Sequence, residues 1–168
     1  MTVPPVTRCL SATDFDAPSE DRWFEDYVPG LVFEYGSVTV SEPEIVEFAH
    51  RYDPQTMHAD PSLAAAGPFG GVIASGWHTV LIAMRIYVDH YVTHVASLAS
   101  PGVDEVRWTV PVRPGDVLSI RTTITEARRS RSKPDRGLVR TLLEAINQDG
   151  TPVMSLTAMN LIALRDPS

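Results

Sequence analysis

Residues 77–92 read WHTVLIAMRIYVDHYV, and this stretch decides the fold. Trp77, Val80, Leu81, Met84 and Val88 fall on one face of a helix. Ile82, Ala83 and Ile86 make the other side apolar too. A helix that is apolar nearly all round must be buried on nearly all sides. The rest of the chain has to supply the cover.

The cover on the C-terminal side reads as strands. From Val103 the pattern has period two: Val106, Trp108 and Val110 alternate with Glu105, Arg107 and Thr109. RPGD, residues 113–116, is a turn. Leu118, Ile120, Thr122 and Ile124 then alternate with Ser119, Arg121, Thr123 and Thr125. A basic tip, RRSRSKPDR, leads into the strand GLVRTLLEAINQ. Asp149-Gly150 signals a hairpin, and TPVMSLTAMNLIALR is a final long strand.

On the N-terminal side, LVFEYGSVTV reads as one more strand. SEPE then opens a helix, with Ser41 as cap, Pro43 in the first turn and Glu44 closing a capping box. Ile45, Val46, Phe48, Ala49 and Tyr52 give it one apolar face, and Asp53-Pro54 stops it. DPSLAAAG is a short helix capped by Asp60, started by Pro61 and stopped by Gly67. GPFGGVIASG is a Gly-rich loop. Residues 1–22, rich in Pro, Ser, Thr and Asp, read as an arm, loose or draped over the surface. Trp23, Phe24 and Tyr27 form a helical turn that tacks it to a single domain, residues 23–168. The expected class is α+β, an antiparallel sheet wrapped around a central buried helix. One sheet cannot cover that helix on all sides, so a homodimer or higher homo-oligomer is expected.

The chain has 168 residues, 43% of them hydrophobic, and a net charge of −7. That charge argues against a nucleic-acid or anionic-membrane partner. No apolar run reaches the roughly 18 residues of a membrane span. The first residues contain no apolar core of a signal peptide. One cysteine, Cys9, rules out an internal disulfide and suits a reducing compartment. A cytoplasmic location is the expectation.

Three segments carry a resemblance: YDPQTMHAD, FGGVIASGWHT and VRPGDVL, in that order, with WFEDYVPGLVFE before them. Together they resemble the MaoC-like dehydratases, which include the (R)-specific enoyl-CoA hydratases of the hot-dog fold. The likeness spans about residues 22–165. It implies a hydro-lyase that adds water to a trans-2-enoyl thioester, or removes it from a 3-hydroxyacyl thioester. No metal or redox cofactor is implied, and coenzyme A enters only as part of the substrate. In that family an Asp and a His five apart hold one water, and Asp53 and His58 match them. Two titratable groups facing one water can take a proton from it and deliver one to carbon. The third element is a backbone N–H at the start of the central helix, here Gly76, which polarises the thioester carbonyl. A helix N-terminus offers unpaired N–H groups and partial positive charge for that task. Ser75 is placed as the helix cap. Ser75, Trp77, Met84 and Phe69 are candidate pocket residues. The chain departs from the family's common Asn-Pro between acid and base, having Pro54-Gln55-Thr56-Met57 instead. Met84 stands where some hydratases carry a hydroxyl.

Plainer readings stand beside these. Asp53 can be only a helix stop, His58 only a loop histidine, and Gly76 only a packing glycine. His90 and His94 share H-x3-H spacing, which metal sites use, but no third ligand is evident. Arg128, Arg129, Arg131 and Lys133 suit either coenzyme A phosphates or a solvated hairpin tip. A thioesterase of the same fold, or a non-catalytic acyl-CoA-binding subunit, are the alternative functions.

Overall fold

The computed structural model describes residues 15–166. Five strands form one antiparallel sheet in the order β1-β3-β4-β5-β2. They are β1 (Val32–Thr39), β2 (Ser97–Trp108), β3 (Val117–Arg129), β4 (Arg136–Ile146) and β5 (Pro152–Ala163). Between β1 and β2 come α1 (Glu42–Tyr52), α2 (Thr56–Ala59), α3 (Pro61–Ala66) and α4 (Gly76–His90). This is the expected order of one strand, helices, a buried helix and four strands.

The local signals act as the sequence implies. Ser41 and Glu44 form a reciprocal capping box on α1. Asp60 caps α3 by accepting from the N–H groups of Ser62 and Leu63. From Val117 to Ile124 in β3 and along most of β4 burial alternates, and Leu118, Ile120, Ile124, Val139 and Leu143 are buried. Helix α4 lays Ile82, Ala83, Ile86 and Tyr87 into this concave face, touching β1, β3, β4 and β5. Each large apolar side chain so buried contributes roughly 1.5–3 kcal/mol relative to exposure. The close fit uses Gly36, at a bulge in β1 with φ +95°, where an added Cβ would lie 2.9 Å from Ile86. A left-handed backbone and no side chain are both needed there.

Three expectations change, and of the two readings of the arm, loose or draped, its described end takes the second. The helix ends at His90, with Tyr91 as its C-cap, so His90 and His94 do not share a helical face. The Tyr91 carbonyl is held by other groups, and the chain turns there instead of continuing. Strand β2 starts at Ser97, well before Val103, because its pairing with β5 begins at Ser97–Ile162. The ladder, not the alternation, sets that start. Strand β2 also exposes nearly all of its residues in one chain, since α4 packs on the other four strands. Finally, the described end of the arm is packed. Phe15 stacks on Phe33 with centroids 4.2 Å apart, and Arg22 is only 4% exposed. Arg22 donates to the carbonyls of His90 (2.9 Å) and Tyr91 (2.8 Å), closing the C-terminal end of α4. Residues 1–14 of the arm, including Cys9, lie outside the described residues.

The other face of α4 is not covered. Trp77, Leu81, Met84 and Val88 are exposed, Leu81 by 54%.

Candidate active site

The helix that begins at Ser41 runs out at Asp53. Pro54 denies the next N–H and disfavours a helical residue before it, so Asp53 becomes the C-cap of α1 with φ −150°. Its carboxylate is thereby turned out of the helix. After Gln55 the chain makes the single turn α2, which carries His58 inward until its side chain is only 7% exposed. The link that looked like a kink in the sequence is a helix-stop-helix that faces two side chains toward each other. His58 Nε2 lies 3.6 Å from Asp53 Oδ2.

Each group is fixed by a partner. His58 Nδ1 donates to the carbonyl of Ile73, 2.8 Å away. A carbonyl can only accept, so Nδ1 carries a proton, and Nε2 is the ring nitrogen turned toward Asp53. Asp53 Oδ2 accepts from the Ser75 hydroxyl at 2.6 Å, and Oδ1 accepts from the Gln55 side chain at 2.8 Å. The Ser75 donor, then the Gln55 donor, hold the Asp53 carboxyl below its ordinary pKa, with a smaller contribution from His58. The carboxylate is therefore ionised at neutral pH. With its proton on Nδ1 alone, the His58 ring sets Nε2 beside Asp53 Oδ2 as two acceptors 3.6 Å apart, across which a water can lie. One water, with its two O–H donors, matches that arrangement.

Ser75 is shared between the two sides of the site. It gives its proton to Asp53 and accepts from the N–H of Trp77 at 3.3 Å, capping α4. The N–H of Gly76 is the first of that helix and has no intrahelical acceptor. Gly76 also has a second reason to be glycine. The Trp108 indole lies against it, donating from Nε1 to the Gly76 carbonyl at 2.9 Å. A Cβ on residue 76 would come within 2.4 Å of that ring.

These groups line one cleft of about 420 Å³. Asp53, His58, Ser75, Gly76, Trp77 and Phe69 all border it, as do Gln55, Ile73, Thr79 and Trp108. Met84 does not. It lies two turns further along α4, on the exposed face. Gln55 and Trp108 carry more of the site than sequence reasoning gave them. Gln55 sat in the departure from the family's Asn-Pro, which was the available signal. In the sequence Trp108 reads only as one position of a strand's alternation, and its contact to Gly76 crosses 32 positions of chain.

The remaining candidates fall elsewhere. His94 lies beside Glu20 at 3.6 Å, and His90 stacks on Tyr35. Among the described residues no group of three His, Cys, Asp or Glu side chains is placed to hold a metal ion. Of the basic tip, Arg128 pairs with Glu126 and Arg129 with Glu25. No helix among the described residues is long and apolar enough to cross a membrane.

Comparison with known proteins gives a consistent picture. The family described as "MaoC like domain" matches residues 28–146. The uncharacterised protein YdeM of Bacillus subtilis is 30% identical over 124 residues, 74% of this chain and 86% of that protein. The 3-hydroxyacyl-thioester dehydratase Z of Mycobacterium tuberculosis is 39% identical over 80 residues, 46% of this chain and 53% of that enzyme. Among solved structures, a MaoC-like dehydratase from Rhodospirillum rubrum superposes with a TM-score of 0.78 at 35% identity. That match covers 86% of this chain and 99% of the other.

Proposed function

From the premise that the chain belongs to the MaoC-like dehydratase family, we propose that it is an enoyl-thioester hydratase, equally a 3-hydroxyacyl-thioester dehydratase, with coenzyme A on the substrate. The observation that carries this reading is the pairing of His58 Nε2 with Asp53 Oδ2, 3.6 Å apart, in the cleft that Gly76 also lines.

The chemistry follows from the groups present. The thioester carbonyl accepts from the Gly76 N–H at the positive end of α4. Withdrawal of electrons there makes C3 of the conjugated acyl group electrophilic. His58 Nε2 takes a proton from the water held between it and Asp53, and the water oxygen bonds to C3. The ionised Asp53 stabilises the imidazolium that forms. Negative charge collects on the thioester oxygen as the enolate develops, so the Gly76 donor acts most in the transition state. The pair then returns the proton to C2, so hydroxyl and hydrogen both come from one water. Dehydration is the same path reversed.

The proposal includes a homodimer. The exposed face of α4 and the open edge of β2, with Leu98, Val103 and Trp108 also exposed, lie where a second copy would cover them. Trp77 and Trp108 belong both to that surface and to the cleft, so the second copy would wall the site.

The test mixes pure protein with crotonyl-CoA and longer trans-2-enoyl-CoAs. Conjugated-thioester absorbance is followed beside release of free thiol. Loss of absorbance without thiol is the expected result. Thiol release would replace the reading with hydrolysis. Asp53→Asn and His58→Ala should each lower turnover by about 10²–10⁴-fold with the fold retained, the usual range for a general acid or base. Wild-type rates in both variants would overturn the site.

A further inference from the structure

The cleft wall formed by Pro111 and Val112 runs directly into a cation, Arg113. Arg113 is exposed and opens the RPGD turn. Its N–H donates to Asp116 Oδ2 at 2.8 Å, and the Asp116 N–H donates to the Arg113 carbonyl at 3.1 Å. Asp116 Oδ1 accepts from the Gln148 side chain. The acid of the turn is thus spent on backbone and amide donors, and among the described residues no carboxylate pairs with the Arg113 guanidinium. That group makes one bond instead, from Nη2 to the Phe69 carbonyl at 2.9 Å. Phe69 borders the cleft. Nη1 lies 3.9 Å from the place where a Cβ on Gly71 would sit. An arginine presents more donors than one bond uses, so the cation is anchored at the rim with donors to spare.

The segment from Gly71 to Gly76 connects this rim with the helix tip, and midway the Ala74 N–H donates to the Val112 carbonyl at 2.8 Å. Five residues of backbone reach at most roughly 18 Å, which bounds the separation of the two ends. A thioester carbonyl held at the Gly76 N–H trails the pantetheine arm of coenzyme A. That arm has about thirteen bonds from sulfur to phosphorus, as many as about four residues of backbone, and so reaches roughly 14–16 Å. The phosphate stands at this distance whatever acyl group is carried. None of the residues lining the cleft is Lys or Arg, so its own walls give an anion no cationic side chain of that kind. A guanidinium fork fits phosphate oxygens at two points. The basic hairpin tip is remote by comparison: β3 runs 13 residues from Val117, just past the RPGD turn, to Arg129, roughly 40 Å.

Resting on the hydratase reading, the geometry points to a phosphate site at the rim of the cleft, where Arg113 binds the phosphate that ends the pantetheine arm of coenzyme A. The Phe69 carbonyl holds the guanidinium in place for that contact, so less of its freedom is lost when the phosphate arrives.

The test compares crotonyl-pantetheine, crotonyl-phosphopantetheine and crotonyl-CoA at low salt. Wild type should favour the phosphorylated arm over the plain one by roughly tenfold in kcat/KM, the low end for a charge-assisted bond, and chiefly through KM. Arg113→Gln should bring that ratio close to one. Arg113→Lys should keep part of it, since an ammonium retains the charge without the fork. Arg113→Gln also removes the bond to Phe69, but a shifted loop would act on both arms alike and cancel in the ratio. Equal rates for the two arms in wild type would overturn the site and leave the hydratase reading intact. So would a ratio that Arg113→Gln leaves in place. So would a gain seen only with crotonyl-CoA, which would put the contact on a more distant phosphate. Should none of the three be hydrated, the hydratase reading fails, and binding is read by itself. Calorimetry then compares butyryl-pantetheine with butyryl-phosphopantetheine. Tighter binding of the phosphorylated ligand that Arg113→Gln abolishes supports the site. Equal affinities, no binding, or a difference that survives the substitution overturn it.

Discussion

Ser75 binds Asp53 across 22 positions of chain, Oγ to Oδ2, at 2.6 Å. One hydroxyl thereby caps the central helix, holds a carboxylate in its ionised form and sets the distance between the helix tip and the candidate acid–base pair.

Removing that hydroxyl therefore has two effects. Ser75→Ala should lower stability by about 0.5–2 kcal/mol, the usual cost of losing an N-cap. It should also let the Asp53 pKa rise toward its ordinary value, because Ser75 is the largest cause of its lowering. A carboxyl with a depressed folded-state pKa adds stability above its unfolded-state value and loses it as pH falls through the folded value. The variant's acid limb, in both kcat/KM and melting temperature, should thus move to higher pH. An acid limb left in place would show that Ser75 does not control Asp53.

Gly76 and Trp108 should prove coupled. Gly76→Ala puts a methyl within 2.4 Å of the indole, so the ring or the helix start must shift. Overpacking of this kind costs about 1–3 kcal/mol. Trp108→Ala removes the obstacle, so the double variant should be more stable than the two single losses add up to. Chemical denaturation of all four proteins checks this, and strict additivity would contradict it.

Arg22→Met should destabilise markedly. The buried guanidinium donates to the His90 and Tyr91 carbonyls and lies over the Phe15 ring, 3.7 Å from its centroid. Methionine keeps apolar bulk but takes one donor from each of the His90 and Tyr91 carbonyls, the Tyr91 carbonyl keeping the Tyr27 hydroxyl, a loss of about 1–3 kcal/mol. A melting temperature within a degree or so of wild type would argue that other donors replace it.

Leu81→Glu tests the proposed dimer. Leu81 is exposed at the middle of the open face of α4, so a charge there costs one chain little. Across a contact between copies it would bury a carboxylate without a partner. Sedimentation should show a dimer for wild type and a monomer for the variant. A wild-type monomer would remove the second copy from the proposal.

What could be read in advance was local. Ser41 and Glu44 announce their helix because a capping box spans four residues, and Asp53 with His58 stand out because six residues contain both. The two sides of α4 were legible as apolar, but the sequence does not say which of them the sheet takes. That depends on how far the five strands curl. Arg22 read as part of a polar arm because its acceptors lie 68 and 69 positions away. The hold of Trp108 on Gly76 spans 32 positions, and nothing near either residue signals it. Strand β2 was misjudged at its start because its backbone pairs with β5 through SLASPG, a run without alternation.

The borders of the sheet carry irregularities that bear on how copies of the chain behave when crowded. In β2 the register slips at three places and Glu105 takes a positive φ of 55°; β1 slips between Tyr35 and Val38. Each slip spoils the even row of donors and acceptors that endless strand-by-strand stacking requires. Borders broken in this way resist the edge-to-edge addition of strand upon strand from which fibrils grow.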